Sequence, residues 1–197
     1  MSNNMSYELI LKNISRFINL DKTEVDFFIS LLQSKTFKKK EFVLRPGKVS
    51  RYEIFVTKGC VKNYTIDSDG FEHIAMFAVE DWWTGDMLSF ITQTPAIYFI
   101  EALEYTEVLQ ISKQNLELLY ERVPKFERFF RKLYQNSLVT HIQRINEGIS
   151  FTAEERYLNF TKKYPKLEQR LAQKQVAAYL GITPEFLSVL RKKLAQK

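Results

Sequence analysis

The sequence has very few of the residues from which disulfides, iron–sulfur clusters and metal sites are built. Its 197 residues include one cysteine, Cys60, and two histidines, His73 and His141. A lone cysteine cannot form a disulfide within the chain, and iron–sulfur clusters generally take four thiolates. A catalytic metal typically takes two histidines near an acid, and haem needs an axial ligand. Neither histidine has a partner at a diagnostic spacing, so no metal or cofactor is predicted.

The sequence also lacks the segments and motifs that mark membrane proteins, secreted proteins and several classes of enzyme. The sequence contains no run of about 18 apolar residues, so no membrane-spanning helix and no membrane role are predicted. Its start, MSNNMSYELI, is not a secretory signal, and with the single cysteine this predicts a cytoplasmic protein. No serine elbow or glycine-rich phosphate loop is found. An enzyme built on a metal-holding barrel is the rival hypothesis, and the scarcity of histidine disfavours it.

Positive charge is concentrated near the C-terminus. Residues 1–150 contain 19 Lys and Arg and 19 Asp and Glu, whereas residues 151–197 contain 10 and 4, so the formal excess of +6 lies in the last 47 residues. A neutral segment joined to a small basic one is typical of a protein that contacts nucleic-acid phosphates.

Residues 173–194, QKQVAAYLGITPEFLSVLRKKL, have the spacing of a helix-turn-helix. Ala177 allows two helices to cross closely, and Gly181 ends the first helix because glycine adopts positive φ without strain. Thr183 is expected to cap the second helix, with Pro184 in its first turn. An amphipathic helical hairpin without DNA contacts is the alternative, and the basic charge disfavours it.

The second helix of this motif is expected to have one buried and one exposed face. Leu187, Leu190 and Leu194 recur at helical spacing and should face the core, with Phe186 on the same flank. The residues expected to contact DNA are Lys174, Thr183, Pro184, Glu185, Ser188, Val189, Arg191, Lys192 and Lys193.

Between about Phe37 and Ile111 the pattern changes to short β-rich runs separated by turn residues. Arg45-Pro46-Gly47 and Asp67-Ser68-Asp69-Gly70 are two of these turns. This pattern predicts an antiparallel β-roll of the jelly-roll kind, preceded by a short helical segment within residues 5–32.

A long helix follows the β-rich region. Pro124 is expected to open it and Gly148 to end it, and its apolar residues form one stripe. The apolar stripe on a helix of this length is longer than a small roll can cover. The stripe therefore predicts pairing with the same helix of a second copy. The alternative is packing wholly within one chain. The residues assigned to the dimer contact are Phe126, Phe130, Leu133, Leu138, His141, Ile142 and Ile145.

The order of β-roll, long helix and basic helix-turn-helix resembles the CRP/FNR family of bacterial transcription regulators over nearly the whole chain. The residues that carry the resemblance are Leu44-Arg45-Pro46-Gly47, Asp67 with Gly70, Gly85-Asp86 where the family has Gly-Glu, the run from Glu101 to Leu109, and Ala177 with Leu180-Gly181-Ile182-Thr183 and Glu185.

The resemblance implies an α+β protein of three parts. These are a roll with its helical lead-in at 1–111, linker and dimerisation helices at 112–148, and a DNA-binding domain at 149–197. It also implies a homodimer that binds a palindromic site on double-stranded DNA and contacts RNA polymerase, with an effector pocket in the roll. The pocket would involve Trp83, Gly85, Asp86, Met87, Ala96, Ile97 and Tyr98.

Two departures from the family pattern change the expected ligands. Ala96 and Ile97 stand where cyclic-AMP-binding members have an Arg and a Ser or Thr, so no charge or hydroxyl clamps a phosphate. Cyclic AMP is therefore not the predicted effector, which stays unknown or absent. Val189 stands where the family has an Arg that reads a guanine, so a different target site is expected. A sensor or adaptor without specific DNA binding is the second functional hypothesis.

Overall fold

Two helices precede the strands, as the apolar spacing within residues 5–32 predicts. The structure is a computed structural model, and it describes residues 2–196. The helices are α1 (Ser2–Ser15) and α2 (Lys22–Leu31). Asp21 and Glu24 begin α2 as a capping box, because the backbone N–H of each donates to the carboxylate of the other at 2.9 Å.

Eight strands then form two four-stranded sheets. They are β1 (Gln33–Phe37), β2 (Phe42–Leu44), β3 (Tyr52–Lys58), β4 (Cys60–Ile66), β5 (Glu72–Val79), β6 (Trp82–Thr84), β7 (Phe99–Ala102) and β8 (Thr106–Ser112). The sheet orders are β1-β8-β3-β6 and β2-β7-β4-β5. Because the chain passes repeatedly from one sheet to the other, the strands form an antiparallel roll, which confirms the predicted fold class. Strand β1 begins before the predicted β-rich region.

The turn between β3 and β4 requires glycine. Gly59 has φ +93°, and a Cβ at this position would lie 2.5 Å from the backbone oxygen of Tyr105. The Gly59 N–H donates to the Glu80 carboxylate at 2.7 Å. Any larger residue would displace the neighbouring turn as well as strain its own backbone.

The remaining helices are α3 (Met87–Thr92), α4 (Lys113–Arg122), α5 (Lys125–Ser150), α6 (Ala153–Lys163), α7 (Gln173–Leu180) and α8 (Pro184–Ala195). Pro124 immediately precedes α5, as predicted, and the helix continues two residues past Gly148. Thr152 and Glu155 form a capping box at the start of α6. The sequence did not predict α3, which is only six residues long.

The chain divides into two compact units. The first extends through Asn63 and resumes over Phe77–Gln135, and the second takes Tyr64–Met76 and continues from Asn136. Helix α5 therefore contributes to both units. No helix within residues 2–196 is long and apolar enough to cross a membrane.

An aromatic cluster forms the centre of the first unit's core. Phe126, Phe129 and Phe130 of α5 are at most 1% exposed. The Trp83 ring of β6 lies 5.4 Å from the Phe130 ring and 5.3 Å from the Phe55 ring, centre to centre. These edge and tilted contacts are the geometries that aromatic quadrupoles favour, so they fix the first turns of α5 against the roll.

A buried carboxyl group, Glu53 of β3, lies at the edge of this cluster. The Tyr134 hydroxyl of α5 donates to Glu53 Oε1 at 2.9 Å. Burial raises the pKa of Glu53 to about 7, although the Tyr134 hydrogen bond acts in the opposite direction. The folded protein therefore holds this proton more tightly than the unfolded chain, in which a glutamate titrates near 4.5.

The raised pKa of Glu53 predicts how stability depends on pH. Its contribution is fully present below pH 4.5 and is lost as the pH rises through 7. Glu53→Gln keeps an acceptor for Tyr134 but cannot ionise. Relative to wild type, its free energy of unfolding should rise by about 3 kcal/mol between pH 4 and pH 8. Urea unfolding at several pH values measures this difference.

The exposed Glu121→Gln is the matched control for Glu53→Gln, and its difference from wild type should stay constant over the same range. Parallel curves for Glu53→Gln and wild type would show that Glu53 ionises in the folded protein as it does in the unfolded chain.

Candidate nucleic-acid interface

The turn between α7 and α8 has the geometry that a helix-turn-helix requires. Gly181 ends α7 with φ +68°, and the Ile182 N–H donates to the Ala177 carbonyl at 3.1 Å. The Thr183 hydroxyl then caps α8 by accepting from the Phe186 N–H at 3.2 Å, and Pro184 occupies the first turn. The predicted starting point of the second helix is confirmed. A short turn of this kind fixes the angle at which α8 leaves α7.

Helix α8 has the two faces that the sequence predicts, with one correction. Leu187 and Leu190 are buried, and Leu194 is partly buried. Phe186 is 51% exposed, so its predicted place in the core is wrong. Successive residues of a helix lie 100° apart around its axis, so Phe186 lies to one side of the buried Leu187.

The exposed face of α8 has few side chains with polar groups. Glu185 and Lys192 are exposed, and Val189, between them, is 65% exposed. Ser188 is only partly exposed, because the Gln173 side-chain amide at the start of α7 donates to its hydroxyl and also to the Pro184 carbonyl. Gln173 therefore holds the two helices together, a role for which its position in the sequence gave no signal.

Two of the cations expected to contact DNA form ion pairs within the second unit. Arg191 lies 2.6 Å from a Glu168 carboxylate oxygen, and Lys193 lies 2.9 Å from one of Glu154. Lys174 and Lys192 are exposed and form no ion pair with the residues that the structure describes. The cations most available to a phosphate are therefore Lys174 and Lys192.

Arg144 of α5 anchors the first helix of the motif. Its guanidinium group donates to the Tyr179 carbonyl of α7 and to the Ile74 carbonyl of β5, both at 2.7 Å. It also lies 3.7 Å from the centre of the Tyr179 ring, a cation–π contact. Arg144 was missed in the sequence because its partners are backbone oxygens far away in the chain.

The apolar stripe of α5 is divided between two environments. Phe126 and Phe130 are buried in the core of their own unit, and Leu133 packs against the same cluster. The prediction that Phe126 and Phe130 form a dimer contact is therefore wrong, since their apolar surface is already covered within the chain. Leu133 is only partly buried, so its assignment to the dimer contact stays a prediction. The apolar residues that remain exposed on α5, between 48% and 79%, are Leu138, Val139, Ile142, Ile145 and Ile149.

His141 lies on the exposed part of α5. Desolvation, together with the charges of Lys163 and Arg144, lowers the pKa of His141. The imidazole is therefore neutral at physiological pH, which suits a position beside an apolar stripe. His73, on β5, lies 2.6 Å from an Asp67 carboxylate oxygen at the surface.

Asp86 organises the segment that was expected to hold an effector. Its buried carboxylate accepts from the Ser89 N–H at 3.0 Å, which caps α3, and from the Ile97 N–H at 3.2 Å and the Tyr98 N–H at 3.4 Å. An anion of the chain itself therefore occupies the backbone donors around Ile97. This geometry stabilises the segment and leaves these donors unavailable to a bound phosphate.

The other expected pocket residues lie in different environments. Trp83 lies in the aromatic cluster, with its indole N–H donating to Asn13 at 3.1 Å. Ala96 is buried, whereas Met87 is 37% and Ile97 57% exposed. No cluster of three metal-binding side chains is found among the residues that the structure describes.

The chain is similar to known regulators in both sequence and structure. The family model described as cyclic nucleotide-binding domain matches residues 34–123. An anaerobic regulatory protein of Haemophilus influenzae is 25% identical over 185 residues, covering 87% of this chain and 70% of its own. The fumarate and nitrate reduction regulatory protein of Vibrio cholerae is 26% identical, with coverage of 87% and 72%. The structure of FixK2 from Bradyrhizobium japonicum matches with a TM-score of 0.73 at 19% identity, covering 84% and 85%.

The match to a cyclic nucleotide-binding domain makes cyclic AMP the ligand to test. We expect no binding in the micromolar range, because Ala96 and Ile97 provide no phosphate clamp and the Asp86 carboxylate both occupies the nearby N–H donors and repels an anion. Calorimetric titration measures this directly, with adenosine as the control that lacks the phosphate. Saturable micromolar binding of cyclic AMP, absent for adenosine, would contradict the expectation.

Proposed function

We propose that the chain is a DNA-binding transcription regulator of the CRP/FNR type and acts as a homodimer whose two helix-turn-helix motifs bind a palindromic DNA site in the bacterial cytoplasm. The observation that carries this proposal is α8, which is capped at its first turn and exposes Glu185, Val189 and Lys192 on a basic segment. Its role is regulatory rather than catalytic, and by resemblance it contacts RNA polymerase. Two copies are proposed because a palindrome presents the same half-site twice.

The exposed stripe of α5 supports the dimer. Leu138, Ile142, Ile145 and Ile149 are separated by four, three and four residues, which is the spacing of a coiled-coil seam. Each is about half exposed or more, and leaving this much contiguous apolar surface in water is unfavourable. Pairing the same stripe from two copies removes it from water and places the second units on one symmetry axis.

The exposed face of α8 suggests how the DNA sequence is read. Glu185 accepts a hydrogen bond from a cytosine amino group, and Val189 contacts a thymine methyl group. Ser188 and Lys192 are the other candidates for base contacts. Lys174 and Thr183 bind phosphates and position the helix, whereas Arg191 and Lys193 must first leave their ion pairs with Glu168 and Glu154.

DNA binding itself is tested with the region upstream of the gene for this chain. A gel-shift titration at several salt concentrations gives the affinity and the number of phosphates engaged, because the logarithm of the binding constant falls with the logarithm of salt by about 0.9 for each phosphate. Specific binding with a steep salt dependence is expected. Binding of equal strength to random duplex would favour the sensor or adaptor role instead.

Introducing a charge into the α5 stripe tests the dimer. Ile142→Glu should convert the dimer to a monomer, because pairing would bury an uncompensated carboxylate at a cost of several kcal/mol. Gln143→Glu introduces the same charge on an exposed side chain away from the stripe and should remain dimeric. Analytical ultracentrifugation at micromolar concentrations distinguishes them. A monomeric wild type, or a dimeric Ile142→Glu, would contradict the proposed contact.

Glu185→Ala and Lys174→Ala separate base reading from phosphate binding. Glu185→Ala should relax the preference for the specific site, because a good base contact is worth about 1–3 kcal/mol of discrimination. Lys174→Ala should weaken specific and random duplex alike and reduce the salt slope by about one unit. Competition gel shifts measure both. Equal losses on both duplexes for the two variants would refute this division of roles.

A further inference from the structure

A cavity of about 330 Å³ opens in the first unit, and neither Asp86 nor any residue of α3 lines it. It is lined by residues of β1, β2, β3 and β8 and by the turn that joins β2 to β3, so both sheets of the roll contribute to it. Its volume is within the range of small-molecule sites, near the lower end. The family resemblance assigned no role to these residues.

Four cationic side chains line this cavity and no acidic one does. They are Lys35, Arg45, Lys48 and Arg51. None of the four forms an ion pair with the residues that the structure describes. Arg45 instead lies 3.7 Å from the centre of the Phe42 ring. Four like charges repel one another around one space, so the cavity favours an anion.

The other lining residues provide an apolar wall. Phe42, Val43, Leu44, Val49 and Ile54 all line the cavity, and Ile54 is only 5% exposed. A hydrated inorganic ion would gain nothing from this wall, whereas a flat hydrocarbon group would remove apolar surface from water. The combination of an apolar wall with clustered cations matches a ligand that has both an anionic and an apolar part.

We propose that this cavity binds a small organic anion, a carboxylate attached to a flat apolar body. The apolar body packs against Phe42 and Ile54. The carboxylate accepts hydrogen bonds from Arg45 and Lys48, since a guanidinium group binds a carboxylate with two parallel hydrogen bonds.

The cavity is joined to the α3 segment by backbone hydrogen bonds. The Gly47 N–H donates to the Ala96 carbonyl at 2.9 Å, and the Ala96 N–H donates to the Lys48 carbonyl at 2.9 Å. The Ser50 N–H donates to the Ser89 hydroxyl at 2.8 Å. A ligand that orders the turn from Arg45 to Arg51 therefore acts directly on the segment held by Asp86. This makes the bound anion an effector, a role that rests on the proposed function, whereas binding itself does not.

Three probes separate the parts of the proposed ligand. 2-Naphthoate has the charge and the apolar body, 2-naphthamide has the body alone, and inorganic phosphate has charge alone. Calorimetry with the full chain should give one saturable site for 2-naphthoate, with the amide and phosphate at least tenfold weaker. No saturable binding of 2-naphthoate up to millimolar concentration, or equal binding of the amide, would overturn the proposal.

Variants locate the site. The double variant Arg45→Gln, Lys48→Gln should weaken 2-naphthoate binding at least tenfold, and Arg51→Gln alone should weaken it to a smaller but measurable extent. Lys22→Gln, an exposed cation on α2 outside the cavity, is the matched control and should bind as wild type. Circular dichroism establishes that each variant is folded. Unchanged binding in both cavity variants would place the ligand elsewhere and overturn the proposal.

The same experiments distinguish this proposal from the proposed function. Binding of 2-naphthoate is measured without DNA, so a chain that binds the probe and ignores every duplex contradicts only the regulatory role. A chain that binds its DNA site but not the probe contradicts only the cavity. If the chain binds both the probe and its DNA site, saturating 2-naphthoate should change the affinity of wild type for DNA in a gel shift. The affinity of the double variant for DNA should stay unchanged.

Discussion

The burial of the first turns of α5 is the constraint on which the rest of the molecule depends. Phe126, Phe129 and Phe130 complete the core of the roll, and Trp83 contacts two of their rings. Their rings contact one another as well as Trp83, so this end of α5 is part of the core of the roll. From Asn136 onward α5 belongs to the second unit, and its apolar residues from Leu138 to Ile149 are exposed.

Two buried carboxyl groups show how the roll interior is organised by the chain's own groups. Glu53 takes a hydrogen bond from Tyr134, and Asp86 takes three from backbone N–H groups. A buried acid costs free energy unless it is protonated or hydrogen-bonded, and the two residues meet this requirement in these two different ways. Asp86 thereby occupies the backbone donors of Ile97 and Tyr98, in the part of the roll that the resemblance assigns to a ligand.

Local sequence signals predicted the local features well. The cap at Thr183 depends on residues within three positions, and the turn at Gly181 depends on one residue. What the sequence did not predict depends on distant contacts. Strand β1 has one buried residue in five, so its pairing with β8 gave no periodic signal. The division of the α5 stripe and the anchoring of α7 by Arg144 follow from packing between elements far apart in sequence.

The cationic cavity of the roll was not predicted either, because its lining residues come from elements that are far apart in the sequence. Residues 1–150 are neutral in total, so their composition gave no signal of an anion site. A net charge sums over the whole surface, whereas a ligand interacts with charges within about one Debye length, about 8 Å at physiological salt. The fold brings Lys35 of β1 beside Arg45, Lys48 and Arg51 of a single turn, with no acid lining the cavity. A locally cationic site therefore exists within a stretch of the chain, residues 1–150, whose formal charges balance. Two backbone hydrogen bonds join the turn that carries this site to Ala96.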